Sequence, residues 1–170
     1  MATTPHQRQA TFTNSLGGQG SDAVSDLSWG YFDTSILVKR YVRERGSLEA
    51  NRLLRKYTIL SSSILPVELL SALRRRRGQS EISEQDYSAI LGRVKQDRAF
   101  WELLELTPSV LARAEEIVLK WNVRTLDAVH LASAVVLRDS VGRPLPFFTS
   151  DERQLMVARQ CDLEVIPVGG

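Results

Sequence analysis

The chain has 170 residues, 43% of them hydrophobic, which is enough for one domain with its own core and too few for two comfortable ones. A single cysteine excludes an internal disulfide framework, and only two histidines leave no Cys/His cluster for a zinc site. The net charge of +2, carried by 18 arginines and 4 lysines against 20 acids, suits bidentate contact with phosphate oxygens and equally an ordinary solvated surface.

From Met1 to Ser28 the sequence is rich in Thr, Ser, Gly and Gln and has almost no apolar periodicity, so it is expected to be a disordered arm. A second reading starts translation at Val24, through a GTG codon. Protein sequence does not choose between the two. No apolar run approaches the 18 residues of a membrane span, and residues 1–28 lack the basic start and apolar core of a signal peptide. A soluble, cytoplasmic protein is expected.

From Trp29 short apolar runs alternate with longer segments of helical period, which predicts one α/β domain over residues 29–170, with a mostly parallel sheet of about five strands flanked by helices. Strands are expected at Trp29–Phe32, Thr58–Ser61, Leu103–Leu106, Pro146–Thr149 and Leu163–Val168. Helices are expected at Thr34–Val42, Leu48–Tyr57, Ile64–Arg77, Glu84–Trp101, Ser109–Trp121, Leu126–Arg138 and Glu152–Gln160.

Four acids fall where such a pattern makes acids costly or where parallel sheets place their sites. Asp33 follows the run Trp29-Gly30-Tyr31-Phe32 as the next helix begins, at the strand edge where open α/β sheets bind ligands. A helix N-cap explains the same residue equally well. Glu68 interrupts the stripe Leu65, Leu69, Ala72 and Leu73, so it needs a partner such as a cation or metal. Pairing with the run Arg74–Arg77 is the ordinary alternative, although Arg75 and Arg76 lie seven and eight residues further on.

Asp127 belongs to Leu126–Leu137, apolar on nearly every face and therefore read as a central helix with Thr125 as its N-cap. His130 shares a face with Asp127 and reads as an orienting or core hydrogen-bonding group rather than a ligand. Asp151 follows Pro146-Phe147-Phe148-Thr149-Ser150, the same slot as Asp33, with capping again the alternative. Tyr31, Phe32, Tyr41, Trp101 and Trp121 read as core or partner-interface residues. The run Arg74–Arg77 reads either as a track for an RNA backbone or as ordinary dipole partners at a helix end.

Converging carboxylates without His or Cys make a hard, oxygen-only site that selects Mg2+ or Mn2+. Like charges so close do not all stay ionised without a cation. Such a site suits phosphodiester hydrolysis, because the ion acidifies a bound water and offsets phosphate charge.

The segments Phe32–Tyr41, Val67-Glu68-Leu69, Leu126–Ala132 and Thr149-Ser150-Asp151 together resemble the PIN domain, above all the VapC-type toxins of bacterial toxin–antitoxin pairs, over about Tyr31 to Val168. The resemblance implies a parallel sheet flanked by helices, a homodimer, and magnesium-dependent endonucleolytic RNA cleavage restrained by a cognate antitoxin. It also implies that Asp33, Glu68 and Asp127 surround the metal, that Asp151 is the more variable fourth acid, and that Thr34, Ser35 and Thr149 are supporting hydroxyls. The long N-terminal arm departs from the pattern.

Other functions fit less well. An aspartyl-phosphate phosphatase would carry Asp-x-Asp-x-Thr, and Asp33-Thr34-Ser35-Ile36-Leu37 lacks the second acid. A phosphorylation receiver would end its last strand on lysine, which Leu163–Val168 lacks. The remaining rival is a PIN-like module that binds RNA or a partner without cutting, which the presence of all four acids disfavours.

Overall fold

The computed structural model describes residues 28–142 and 144–169. The arm expected over residues 1–28 lies outside the described residues except for Ser28. Five strands, β1 (Trp29–Phe32), β2 (Thr58–Ser62), β3 (Trp101–Leu104), β4 (Pro146–Thr149) and β5 (Glu164–Pro167), form one sheet in the order β3-β2-β1-β4-β5. Every neighbouring pair is parallel.

Each crossover is helical, as parallel pairing requires. The helices are α1 (Thr34–Tyr41), α2 (Ser47–Lys56), α3 (Leu65–Gly78), α4 (Glu84–Asp97), α5 (Pro108–Lys120), α6 (Thr125–Val141) and α7 (Glu152–Gln160). The α/β architecture read from the sequence is therefore observed. Most boundaries shift by a few residues, and two of the shifts bear on the site or the sheet. β3 begins at Trp101 rather than Leu103, because α4 stops at Asp97 and a short 3-10 turn, Arg98–Phe100, ends the helical stretch expected to reach Trp101. The N-cap position of α6 is Arg124 and not Thr125, and Arg124 makes no side-chain capping bond there.

Strand alternation sends successive residues to opposite faces, and a separate core forms on each. Tyr31 and Phe147 join residues of α5, α6 and α7 on one face, and Phe32 and Phe148 join residues of α1 to α4 on the other. The register aligns these residues across β1 and β4, so Tyr31 stacks on Phe147 with ring centroids 5.4 Å apart and Phe32 on Phe148 at 4.5 Å. The central pair of strands is thus clamped by aromatic contacts on both faces.

β1 connects outward to β2, whereas β4 lies on its other side. The crevice beyond the carboxyl ends of β1 and β4 is therefore the topological switch point, where open α/β sheets take their ligands.

Gly30 makes room for one of these stacks, since a Cβ there would lie 2.6 Å from the Phe148 ring and 3.2 Å from that of Phe32. Gly30→Ala should cost about 1–3 kcal/mol through overpacking, read as a lower urea midpoint. An unchanged midpoint would contradict the clamp.

Candidate active site

Two of the four acids arise from the strand ends themselves. Asp33 is the residue between β1 and α1, and its backbone N–H donates to the Phe148 carbonyl at 3.0 Å, continuing the strand pairing to the edge. Its side chain caps α1, with Oδ2 accepting from the Ser35 N–H at 3.1 Å. Asp151 follows β4 and caps α7, with Oδ1 accepting from the N–H groups of Arg153 and Gln154 at 2.8 and 3.1 Å. The capping explanation considered for both residues is therefore true, and it leaves the second oxygen of each carboxylate outside the cap.

Glu68 comes from α3 and Asp127 from the first turn of α6. All four acids line one cleft of about 460 Å³, together with Thr34, Ser35, Arg75 and Arg124.

The partner that Glu68 needed on its apolar stripe is His130. The fully buried imidazole Nε2 lies 2.8 Å from Glu68 Oε2, the Thr34 hydroxyl donates to the same oxygen at 2.5 Å, and the Tyr31 hydroxyl lies 3.0 Å from His130 Nδ1. A carboxylate only accepts, so Nε2 carries a proton, and in the neutral ring Nδ1 accepts from Tyr31. Burial works against both charges, but the contact between them outweighs it. Glu68 titrates below its ordinary value and His130 above, the latter raised also by Asp33 and Asp127.

The supporting hydroxyls are placed as follows. Thr149, fully buried, donates to Asp33 Oδ2 at 3.2 Å and accepts from the Asp151 N–H at 3.0 Å, joining the two strand-end acids. Ser35 Oγ accepts from the Ser150 N–H at 3.0 Å, tying the start of α1 to the turn after β4. Gln154, fully buried, donates from Nε2 to Asp33 Oδ1 at 3.4 Å. Neither Tyr31 nor Gln154 was read from the sequence as part of the site.

Each acid is thus anchored on one side only, or not at all. Among the described residues no hydrogen bond reaches Glu68 Oε1, Asp151 Oδ2 or either oxygen of Asp127, and Asp33 Oδ1 takes only the long bond from Gln154. No three His, Cys, Asp or Glu side chains among them are drawn together closely enough to hold a metal ion as they stand. The four carboxylates line the same cleft, and the electrostatics register it. Burial, then the charges of Asp151, Asp33 and Glu68, push Asp127 up to about 6, with Arg124 opposing.

Comparison with known proteins shows the family. The sequence model of the PIN domain matches residues 30–160. The chain belongs to the PIN domain family. Ribonuclease VapC46 of Mycobacterium tuberculosis is 32% identical over 137 residues, covering 80% of this chain and 95% of that protein. In fold, this PIN domain is similar to VapBC2 from Rickettsia felis, solved bound to a DNA fragment from their promoter, with a TM-score of 0.58 at 14% identity over 81% of this chain and 97% of that one. It is also similar to VapBC-5 from Mycobacterium tuberculosis, with a TM-score of 0.53 at 16% identity over 83% of this chain and 99% of that one.

Folded Asp127 binds its proton more tightly than unfolded Asp127, so its contribution to stability is complete below the ordinary value of 3.8 and is lost as pH rises through about 6. In EDTA, Asp127→Asn should match wild type in thermal melts near pH 3.5, overtake it between about pH 4 and 6, and stay ahead above. A difference independent of pH would contradict the crowding of charge.

Proposed function

We propose that this PIN domain is a metal-dependent endoribonuclease, the cytoplasmic toxin of a type II toxin–antitoxin pair. The observation that carries the reading is the set of carboxylate oxygens left free around one cleft at the switch point, in a chain whose relative is a ribonuclease. Asp33, Glu68, Asp127 and Asp151 offer only hard oxygen donors, and their mutual repulsion is relieved by a divalent cation, so the donor set fits Mg2+ or Mn2+. Such an ion supplies an acidified water and compensates phosphate charge.

The chain's own residues do the rest. Thr149 and Ser35 hold the strand-end acids, and His130 with Thr34 holds Glu68 by one oxygen. Of the arginine run, Arg76 is bound to Glu44 and Glu81 and Arg77 to Glu84, as ordinary helix-end partners. Arg75 and Arg124 form no ion pair among the described residues and stand at the cleft, where guanidinium groups bind RNA phosphates.

The cognate antitoxin is the second partner, and a homodimer is the assembly implied by the likeness to VapC-type toxins. Val67 and Leu70 on α3 are 68% and 40% exposed beside Glu68, an apolar face for a partner helix next to the acids. No helix among the described residues is long and apolar enough to cross a membrane. A module that binds without cutting would have no use for four acids gathered around one cleft.

Purified protein should cleave single-stranded RNA in Mg2+ or Mn2+ and stop in EDTA. Asp33→Asn, Glu68→Gln and Asp127→Asn should each lower the rate by more than about 100-fold, beyond what loss of an outer-shell partner does. The pair R75A/R124A should raise KM with kcat near wild type and flatten the salt dependence. Metal-dependent cleavage that survives all three acid substitutions would refute the site, and absence of cleavage would favour the non-cutting module.

A further inference from the structure

The buried face of α7 is formed by Gln154, Val157 and Ala158, at the spacing of an apolar helix stripe. Gln154 is fully buried, yet packing does not account for an amide there. A leucine or methionine would fill the place without a polar atom to satisfy.

The amide is also only half satisfied. Its Nε2 reaches Asp33 Oδ1 at 3.4 Å, while Oε1 has no hydrogen-bond partner among the described residues. Rotating the amide does not repair this, because Asp33 only accepts, and Oε1 facing it would oppose like charge to like. A buried acceptor without a donor keeps its desolvation cost. Polarity at this position is therefore maintained at the expense of the fold, and what it touches is Asp33. The Gln154 backbone N–H meanwhile donates to Asp151 Oδ1 at 3.1 Å, so one residue contacts both strand-end acids.

We infer that Gln154 is a positioning residue of the carboxylate site: its amide fixes the rotamer of Asp33, leaving Oδ1 weakly held and oriented for a divalent cation. Thr149 and the Ser35 N–H hold only Oδ2, and Gln154 supplies the one hydrogen bond to the other oxygen among the described residues, so with it the carboxylate is restrained at both ends. The inference rests on the metal reading above.

The test compares wild type with Gln154→Met and Gln154→Leu, in Mn2+ binding by calorimetry and in thermal melts with EDTA. Both variants should melt in EDTA at or above the wild-type temperature while their Mn2+ affinity falls about tenfold or more, the loss typical of an outer-shell partner. Mn2+ affinity equal to wild type would overturn the inference and leave the metal site standing. Variants that both melt well below wild type in EDTA, or fail to fold, would overturn it too, since the amide would then serve the fold. Absence of Mn2+ binding by wild type would instead overturn the metal reading itself.

Discussion

Like charges brought together out of water raise one another's free energy, and the polar groups around the cleft are arranged about that constraint. Burial, together with the charges of Asp151, Asp33 and Glu68, pushes Asp127 up to about 6. Without a cation, the groups set against these charges are the His130 imidazole, on Glu68 and 4.0 Å from Asp33, and the Arg124 guanidinium in the cleft lining. Neither relieves Asp127 fully. The fold tolerates this by fixing Glu68 and Asp151 with hydroxyl, imidazole or backbone donors to one oxygen, and Asp33 with hydroxyl and backbone donors to one oxygen and the Gln154 amide on the other, which holds the charges in place without neutralising them.

The sheet determines which residues can take part. Parallel strands bring their carboxyl ends to one edge, and the reversal of strand order at β1 and β4 opens a crevice there. Asp33 and Asp151 enter it as the caps of α1 and α7, while α3 and α6 carry Glu68 and Asp127 in from opposite faces of the sheet. The stacks of Tyr31 on Phe147 and Phe32 on Phe148 fix β1 against β4, and so the strand-end acids against each other. Tyr31 serves both purposes, with its ring in the core and its hydroxyl on His130.

Much of this was legible in the sequence because hydrophobic period and turn residues are local signals. The strand ends at Asp33 and Asp151 and the interrupted stripe at Glu68 could be read without tertiary information. The partner of Glu68 could not, because a histidine 62 residues away enters only through the packing of α6 against the sheet. The start of α6 was legible only to within a residue, since Thr suits a cap better than Arg does and yet Arg124 holds the N-cap position. Gln154 was missed although its signal, a polar residue on an apolar stripe, is the one that exposed Glu68. Its uncharged amide made the conflict less conspicuous.

The central claim is that these carboxylates together bind a divalent cation. Crystals grown with Mn2+ and measured for anomalous scattering test it directly. The account predicts a peak inside the cleft, bonded to the oxygens left free on Asp33 and Asp127 and to at least one of Glu68 and Asp151. A fully occupied Mn2+ elsewhere with this cleft empty, or a cleft in which Arg75 or Arg124 has closed onto the acids in place of the ion, would contradict it.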